Sequence, residues 1–176
     1  MGKTVLVLLL GGLLSACQPR AASTAPAARA PLAITVACTY QPEGALVHIA
    51  AAKGYFADEK LDVRTAIHSH GKAALDAVLE KKADLATVAE TPLMFSVLKG
   101  EAVTIVATIE ASSTNNAVVA RRDAGIAAVA DLRGKRVGFT PGTTSEFFLD
   151  SLLAAHRLTR AEIAAVALGP AEMQAA

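Results

Sequence analysis

The sequence predicts an α/β fold built on a parallel sheet. Two observations lead there. Short apolar, β-branched runs alternate with helical-period segments of about ten residues, the pattern of βαβ units. Several helical segments also carry end signals: Gly54 and Gly100 where two of them stop, Pro92 where one begins.

Taken in order, residues 34–38 (Ile-Thr-Val-Ala-Cys) read as a first strand. Residues 45–53 have apolar side chains at helical spacing and stop at Gly54. Residues 61–67 alternate, with Val63, Thr65 and Ile67 in step, and read as a strand. Residues 72–81 place Ala73, Ala74, Ala77 and Val78 on one helical face. Residues 84–89 are the next strand, 92–98 the next helix and 103–109 a fourth strand. Residues 116–120 continue as an extended apolar segment, with a loop at 122–125. Beyond it the pattern predicts a helical turn at 128–132, a strand at 135–140 and a turn at 141–144. A helix at 145–155, a helical turn at 161–164, a strand at 165–168 and a helix from about Ala171 follow. Starting a strand and a helix at the end of the chain leaves no segment to cover them, and this reads as part of a longer fold.

Residues 1–31 are different. Lys3 precedes the apolar run 5–14, and Leu14-Ser15-Ala16-Cys17 closes it. This is the layout of a bacterial secretory signal with a lipid-attachment cysteine. The run is half the ~20 residues that span a bilayer, and it contains Gly11 and Gly12, so a cleaved leader fits better than a membrane helix. The expected divisions are a signal peptide over 1–17 and, over 18–31, a flexible tether rich in Ala, Pro, Ser and Thr. Cys17 would carry the lipid and anchor the chain outside the cytoplasm.

Composition narrows the function. The chain has 176 residues, formal net charge +1, 4% aromatic residues and no Trp. That leaves neither a basic stripe nor stacking platforms for nucleic acid. Two cysteines are present; with Cys17 assigned to lipid, Cys38 is unpaired and reads as a small buried hydrophobe.

The ordered blocks carry a family resemblance. Residues 49–63 (Ile-Ala-Ala-Ala-Lys-Gly-Tyr-Phe-Ala-Asp-Glu-Lys-Leu-Asp-Val), 71–75 (Gly-Lys-Ala-Ala-Leu), 82–84 (Lys-Ala-Asp), 90–92 (Glu-Thr-Pro), 131–138 (Asp-Leu-Arg-Gly-Lys-Arg-Val-Gly) and 142–149 (Gly-Thr-Thr-Ser-Glu-Phe-Phe-Leu) follow one another at matching spacing. Together they resemble the extracytoplasmic solute-binding proteins of ABC importers, in the branch handling nitrate, sulfonates, taurine and thiamine precursors. The resemblance implies a type II periplasmic-binding-protein-like fold. It has two α/β lobes with mixed, mostly parallel sheets, lobe one over 32–115 and an incomplete lobe two over 116–176. It implies a lipid-anchored periplasmic component that captures a small solute and passes it to a permease driven by an ATPase.

In open α/β sheets ligands sit beyond the carboxyl ends of the strands, and four segments are expected there. In the first, Tyr40 offers a ring and Gln41 a donor and an acceptor. In the second, Ser69 is expected to cap the following helix, with His70 and Gly71 beside it. His68 and His70 share a strand face, but no third metal ligand lies near in sequence, and no metal is expected. In the third, Glu90 either meets a cationic part of a ligand or sits in solvent, and Thr91 is expected to cap the helix before Pro92. The fourth, Gly142, Thr143, Thr144 and Ser145, opens a helix with N–H groups and hydroxyls for an anion. Asn115 and Asn116 lie where the chain crosses between lobes and either line the cleft or form a turn.

The mechanism implied is capture without catalysis or cofactor, with closure favoured by contacts to both lobes. No nucleophile elbow and no P-loop is present. An enzyme of the related pyrimidine-precursor synthase type, with His68 and His70 in play, and a non-transport periplasmic lipoprotein are the alternatives.

Overall fold

The computed structural model describes residues 30–114 and 116–175. Cys17, the leader, most of the tether and Asn115 lie outside the described residues.

Strand β1 (Leu32–Cys38) sits at the centre of the first sheet, whose order is β2-β1-β3. It pairs in parallel with β2 (Leu61–Ile67) along its whole length, from Leu32 opposite Leu61 to Cys38 opposite Ile67. On its other side it pairs in parallel with β3 (Leu85–Ala86). The helices of this lobe are α1 (Ala45–Lys53), α2 (Tyr55–Asp58), α3 (Gly71–Leu79) and α4 (Glu90–Leu98). Gly54 ends α1 in the left-handed conformation at φ 78° and returns its N–H to the carbonyls of Ala50 and Ala51.

Strand β3 is shorter than the expected 84–89. The Asp84 carboxylate takes the Thr35 N–H at 2.7 Å, where a ladder bond would otherwise form. The Thr87 N–H then reaches the Ala37 carbonyl at 3.0 Å, and past Cys38 there is no strand left to pair with. Between the sheet and α3, Ala37, Ala74, Ala77 and Ala83 form a small core, with Val78 and Ala86 against it. Side chains this small let helix and sheet approach closely, at the cost of little apolar area per residue.

The second lobe holds β4 (Arg136–Phe139) and β5 (Ala164–Ala167), again parallel, with α5 (Thr144–Ala155) and α6 (Pro170–Ala175). Leu132, Phe139, Leu149, Leu153, Leu158 and Ile163 make its core. Two of its 3-10 turns, Val129–Leu132 and Arg160–Glu162, are pinned by side chains. Asp131 takes the N–H groups of Ala127 and Ala128 at 3.0 and 2.8 Å. Glu162 takes the Thr159 N–H at 2.8 Å and the Arg133 guanidinium at 3.0 Å. Arg160 lies over the Phe139 ring, 4.3 Å from its centre, and bonds to both Glu146 and Asp150.

Among the described residues, the expected fourth strand at 103–109 is not a strand, and 116–120 is part of neither sheet. Both stretches have strand-like composition, but an extended chain becomes a strand only by pairing. Ile105, Val106 and Val119 are correspondingly exposed, at 69%, 75% and 91%.

The second lobe depends on Leu153, which is 2% exposed. Leu153→Ala is expected to destabilise it by about 2–5 kcal/mol, read as a lower urea midpoint for the helical signal. Leu98→Ala, at a side chain 75% exposed, is expected to leave that midpoint unchanged.

Candidate functional site

Because β1, β2 and β3 are parallel, the segments that follow them, 39–44, 68–70 and 87–89, leave the same end of the sheet. The order β2-β1-β3 makes the gap between β1 and β3 a switch point. Ala37 and Ala86 pack towards α3, whereas the Cys38 thiol faces α1, with Sγ 4.0 Å from His48 Nε2. The chain thus departs to opposite faces from a switch point, where open α/β sheets hold ligands. At this edge stands the Thr87 hydroxyl. It is a buried side-chain oxygen without a hydrogen-bond partner among the described residues. Such a group costs about 1–3 kcal/mol unless a further partner satisfies it.

The 39–44 loop is locked. The Thr39 hydroxyl accepts from the Gln41 N–H at 3.1 Å and donates to Glu43 at 3.4 Å. His48 Nε2 bonds to the Thr39 carbonyl at 2.9 Å. The loop leaves Tyr40 and Gln41 exposed. Burial pushes the Cys38 thiol up from its ordinary value, which suits an inert core position.

In the second segment the cap is His70 and not the expected Ser69. The helix begins at Gly71, and His70 Nδ1 accepts the Ala73 N–H at 3.3 Å, the reach from N-cap to N3. Ser69, one residue too early, is exposed. Gly71 is buried against the backbone of Val88, joining the second and third segments. In the third, Thr91 does not cap either. The helix starts at Glu90 with Ala89 as N-cap, so Thr91 lies inside the first turn and is 3% exposed. Pro92 still falls within the first turn, where a missing N–H leaves no bond unmade. Glu90 is exposed at the helix start, where a negative charge is favoured.

The fourth segment meets the first lobe. Gly142 adopts φ 71°, and a Cβ built there would lie 2.6 Å from Lys72 Cε, so the lysine stem crosses Gly142. Thr143 is the N-cap of α5, its hydroxyl accepting the Ser145 N–H at 3.2 Å and donating to the Thr140 carbonyl at 2.7 Å. The expectation of an open row of N–H groups is corrected here. Gly142 N–H goes to Glu146 Oε2 at 2.7 Å and Ser145 N–H to Thr143. The chain's own carboxylate thus occupies part of the helix start, and Arg160 holds its other oxygen at 3.2 Å.

A crevice of about 350 Å³ runs between the lobes, lined by Lys72, Asp76, Phe95, Lys99, Gly142 and Glu146 among others. Of the residues singled out from sequence, Gly142 lines it; Asn116 is exposed, and Asn115 is outside the described residues. Lys72, His48 and Glu146 were missed. The pattern Thr143-x-x-Glu146 is a capping-box signature that could have flagged the last of these. Among the described residues, no three His, Cys, Asp or Glu side chains gather as a metal group, and no helix is long and apolar enough to cross a membrane.

Comparison with known proteins follows the same lines. The chain belongs to the NMT1/THI5 like family, whose profile matches residues 41–176. It superposes on the alkanesulfonate-binding protein SsuA from Xanthomonas axonopodis pv. citri bound to MOPS, with TM-score 0.61 and 16% identity over 84% of this chain and 51% of that one. The periplasmic aliphatic sulphonate binding protein SsuA from Escherichia coli gives TM-score 0.54 and 19% identity, over 82% of this chain and 50% of that one. A protein from Bordetella bronchiseptica RB50 gives 0.55 and 24%, over 78% and 44%. No curated protein matches the sequence. These likenesses establish the fold, that of periplasmic binding proteins; the chain spans about half the length of these structures.

The His70 cap makes a pH prediction. Burial, then the Lys72 charge, hold its pKa below the ordinary histidine value, with Asp76 opposing. The neutral ring is the form that can accept the Ala73 N–H. The stabilisation is therefore complete above the unfolded-state pKa of about 6.5 and is lost as pH falls through the lower folded value. Protection of the Ala73 amide against hydrogen exchange is expected to drop between about pH 7 and pH 5. In His70→Asn, which keeps a non-titrating acceptor, that protection is expected to stay flat.

Proposed function

We propose that this chain is the solute-capturing part of an ABC importer, tethered through lipid on Cys17 outside the cytoplasm. It takes a small anionic or heteroaromatic solute, of the sulfonate, nitrate, taurine or thiamine-precursor class, between its two lobes. It presents that solute to a membrane permease powered by an ATPase. The single observation that carries this reading is the switch-point edge of the first sheet, with the Thr87 hydroxyl, which has no partner among the described residues, at its rim. Family membership and the sulfonate-binding proteins of similar fold support it.

In this reading Tyr40 and Gln41, Ser69 to Gly71, Glu90 and Thr91, and Gly142 to Ser145 contribute to the solute site, with Asn115 and Asn116 at the crossover. Lobe one runs over 32–115 and lobe two from 116. The acidic head of the solute is met by the N–H groups of Thr143 and Thr144, which no protein acceptor takes among the described residues. Glu146 opposes it, since its carboxylate already sits at the helix start.

A thermal-shift screen against sulfonates, nitrate, bicarbonate and pyrimidines tests the reading. At least one is expected to stabilise the chain, by about 2.7 kcal/mol when present at a hundredfold excess over its Kd. No stabilisation by any of them, in a well-folded sample, contradicts it. For an anionic hit, Glu146→Gln is expected to tighten binding severalfold in isothermal titration, because a like charge leaves the helix start.

A further inference from the structure

Tyr40 lies two residues beyond the end of β1, in the loop at the switch point, and is 80% exposed, yet its ring is not loose. It stacks on the His48 imidazole, with ring centres 5.0 Å apart and planes 22° from parallel. His48 is itself fixed at both sides of its Nε2, which bonds to the Thr39 carbonyl at 2.9 Å and lies 4.0 Å from Cys38 Sγ. The loop geometry demands this placement. Gly44 approaches Thr39 so closely that a Cβ would fall 2.1 Å from the Thr39 carbonyl oxygen. His48, one helical turn after Gly44, therefore faces the same carbonyl. One face of Tyr40 is taken by His48, and the other is open beside the switch point.

We propose that His48 is the positioning residue of the solute site, holding Tyr40 as a fixed plate whose open face receives a flat ring of the solute. The proposal rests on the solute-capture reading above. His48 touches no solute; it acts through Tyr40, which makes a ring-bearing anion, an aryl sulfonate or a heteroaromatic acid, a better ligand than a short alkyl sulfonate.

The test uses the full chain carrying Cys17→Ser, so that no lipid is attached. Aromatic NMR signals of Tyr40 are compared with those of Tyr55 as an internal reference. His48→Ala is expected to remove the upfield ring-current shift of Tyr40, and His48→Phe to retain it. A Tyr40 signal that does not move in folded His48→Ala overturns the proposal. If His48→Ala does not fold, loss of the shift in His48→Phe overturns it instead. Benzenesulfonate and ethanesulfonate are then titrated. His48→Ala and Tyr40→Ala are each expected to weaken benzenesulfonate about tenfold, the double variant no further, and ethanesulfonate is expected to change by less than about twofold. A full additional loss in the double variant shows that His48 does not act through Tyr40, and overturns the proposal. If the parent chain binds neither sulfonate while the Tyr40 shift responds as expected, the holding of Tyr40 stands and the solute reading falls for this class.

Discussion

Strand β1 is paired on both sides, and the arrangement of the whole first lobe follows from that. Its ladder to β2 runs its full length, while its ladder to β3 covers two residues before the chains part. A central strand flanked in this way sends its own loop to one face, and the α3 crossover packs on the other. The result is an edge where three connections open together and a buried threonine hydroxyl has no partner among the described residues. The sheet is held by backbone pairing and close alanine packing more than by large apolar side chains, and none of the α1 side chains is buried.

The second lobe is built differently. Its core uses large side chains, Leu149, Leu153 and Phe139 among them, and charged groups staple its surface. Arg160 binds Glu146 and Asp150 while covering Phe139, and hydrogen bonding to Asp150 leads the causes that raise its pKa. The same Glu146 reaches forward to Gly142 at the start of α5. A helix start can hold an outside anion. Here an internal carboxylate takes one of its donors, so any solute anion competes with, or binds beside, a group the lobe already holds.

Most of the architecture was legible in the sequence because it is local. Strand β2 and helix α1 fall at the predicted residues, and α1 stops at Gly54 as its sequence signals. What failed was non-local. The run at 103–109 has strand composition, but composition supplies no partner. Strand β3 came out short because β1 ends at Cys38 and gives 87–89 no strand to pair with, while at its start the Asp84 carboxylate takes the Thr35 N–H. The caps failed by one or two residues: a histidine ring took the role expected of Ser69, and Thr91 was drawn inside its helix. At the site, hydroxyl and glycine clusters were visible in the sequence. The stacking of His48 on Tyr40 and the crossing of Lys72 over Gly142 were not, because each depends on where two separate segments meet.

The central claim, that solute lodges between the carboxyl ends of β1 and β3 and the start of α5, is tested most directly by amide chemical-shift mapping. The solute titrated is whichever compound the chain binds. The largest perturbations are predicted at 39–44, 87–91 and 142–145 within one saturating titration. Perturbations confined to 103–120, or to the outer face of α1, would contradict the placement.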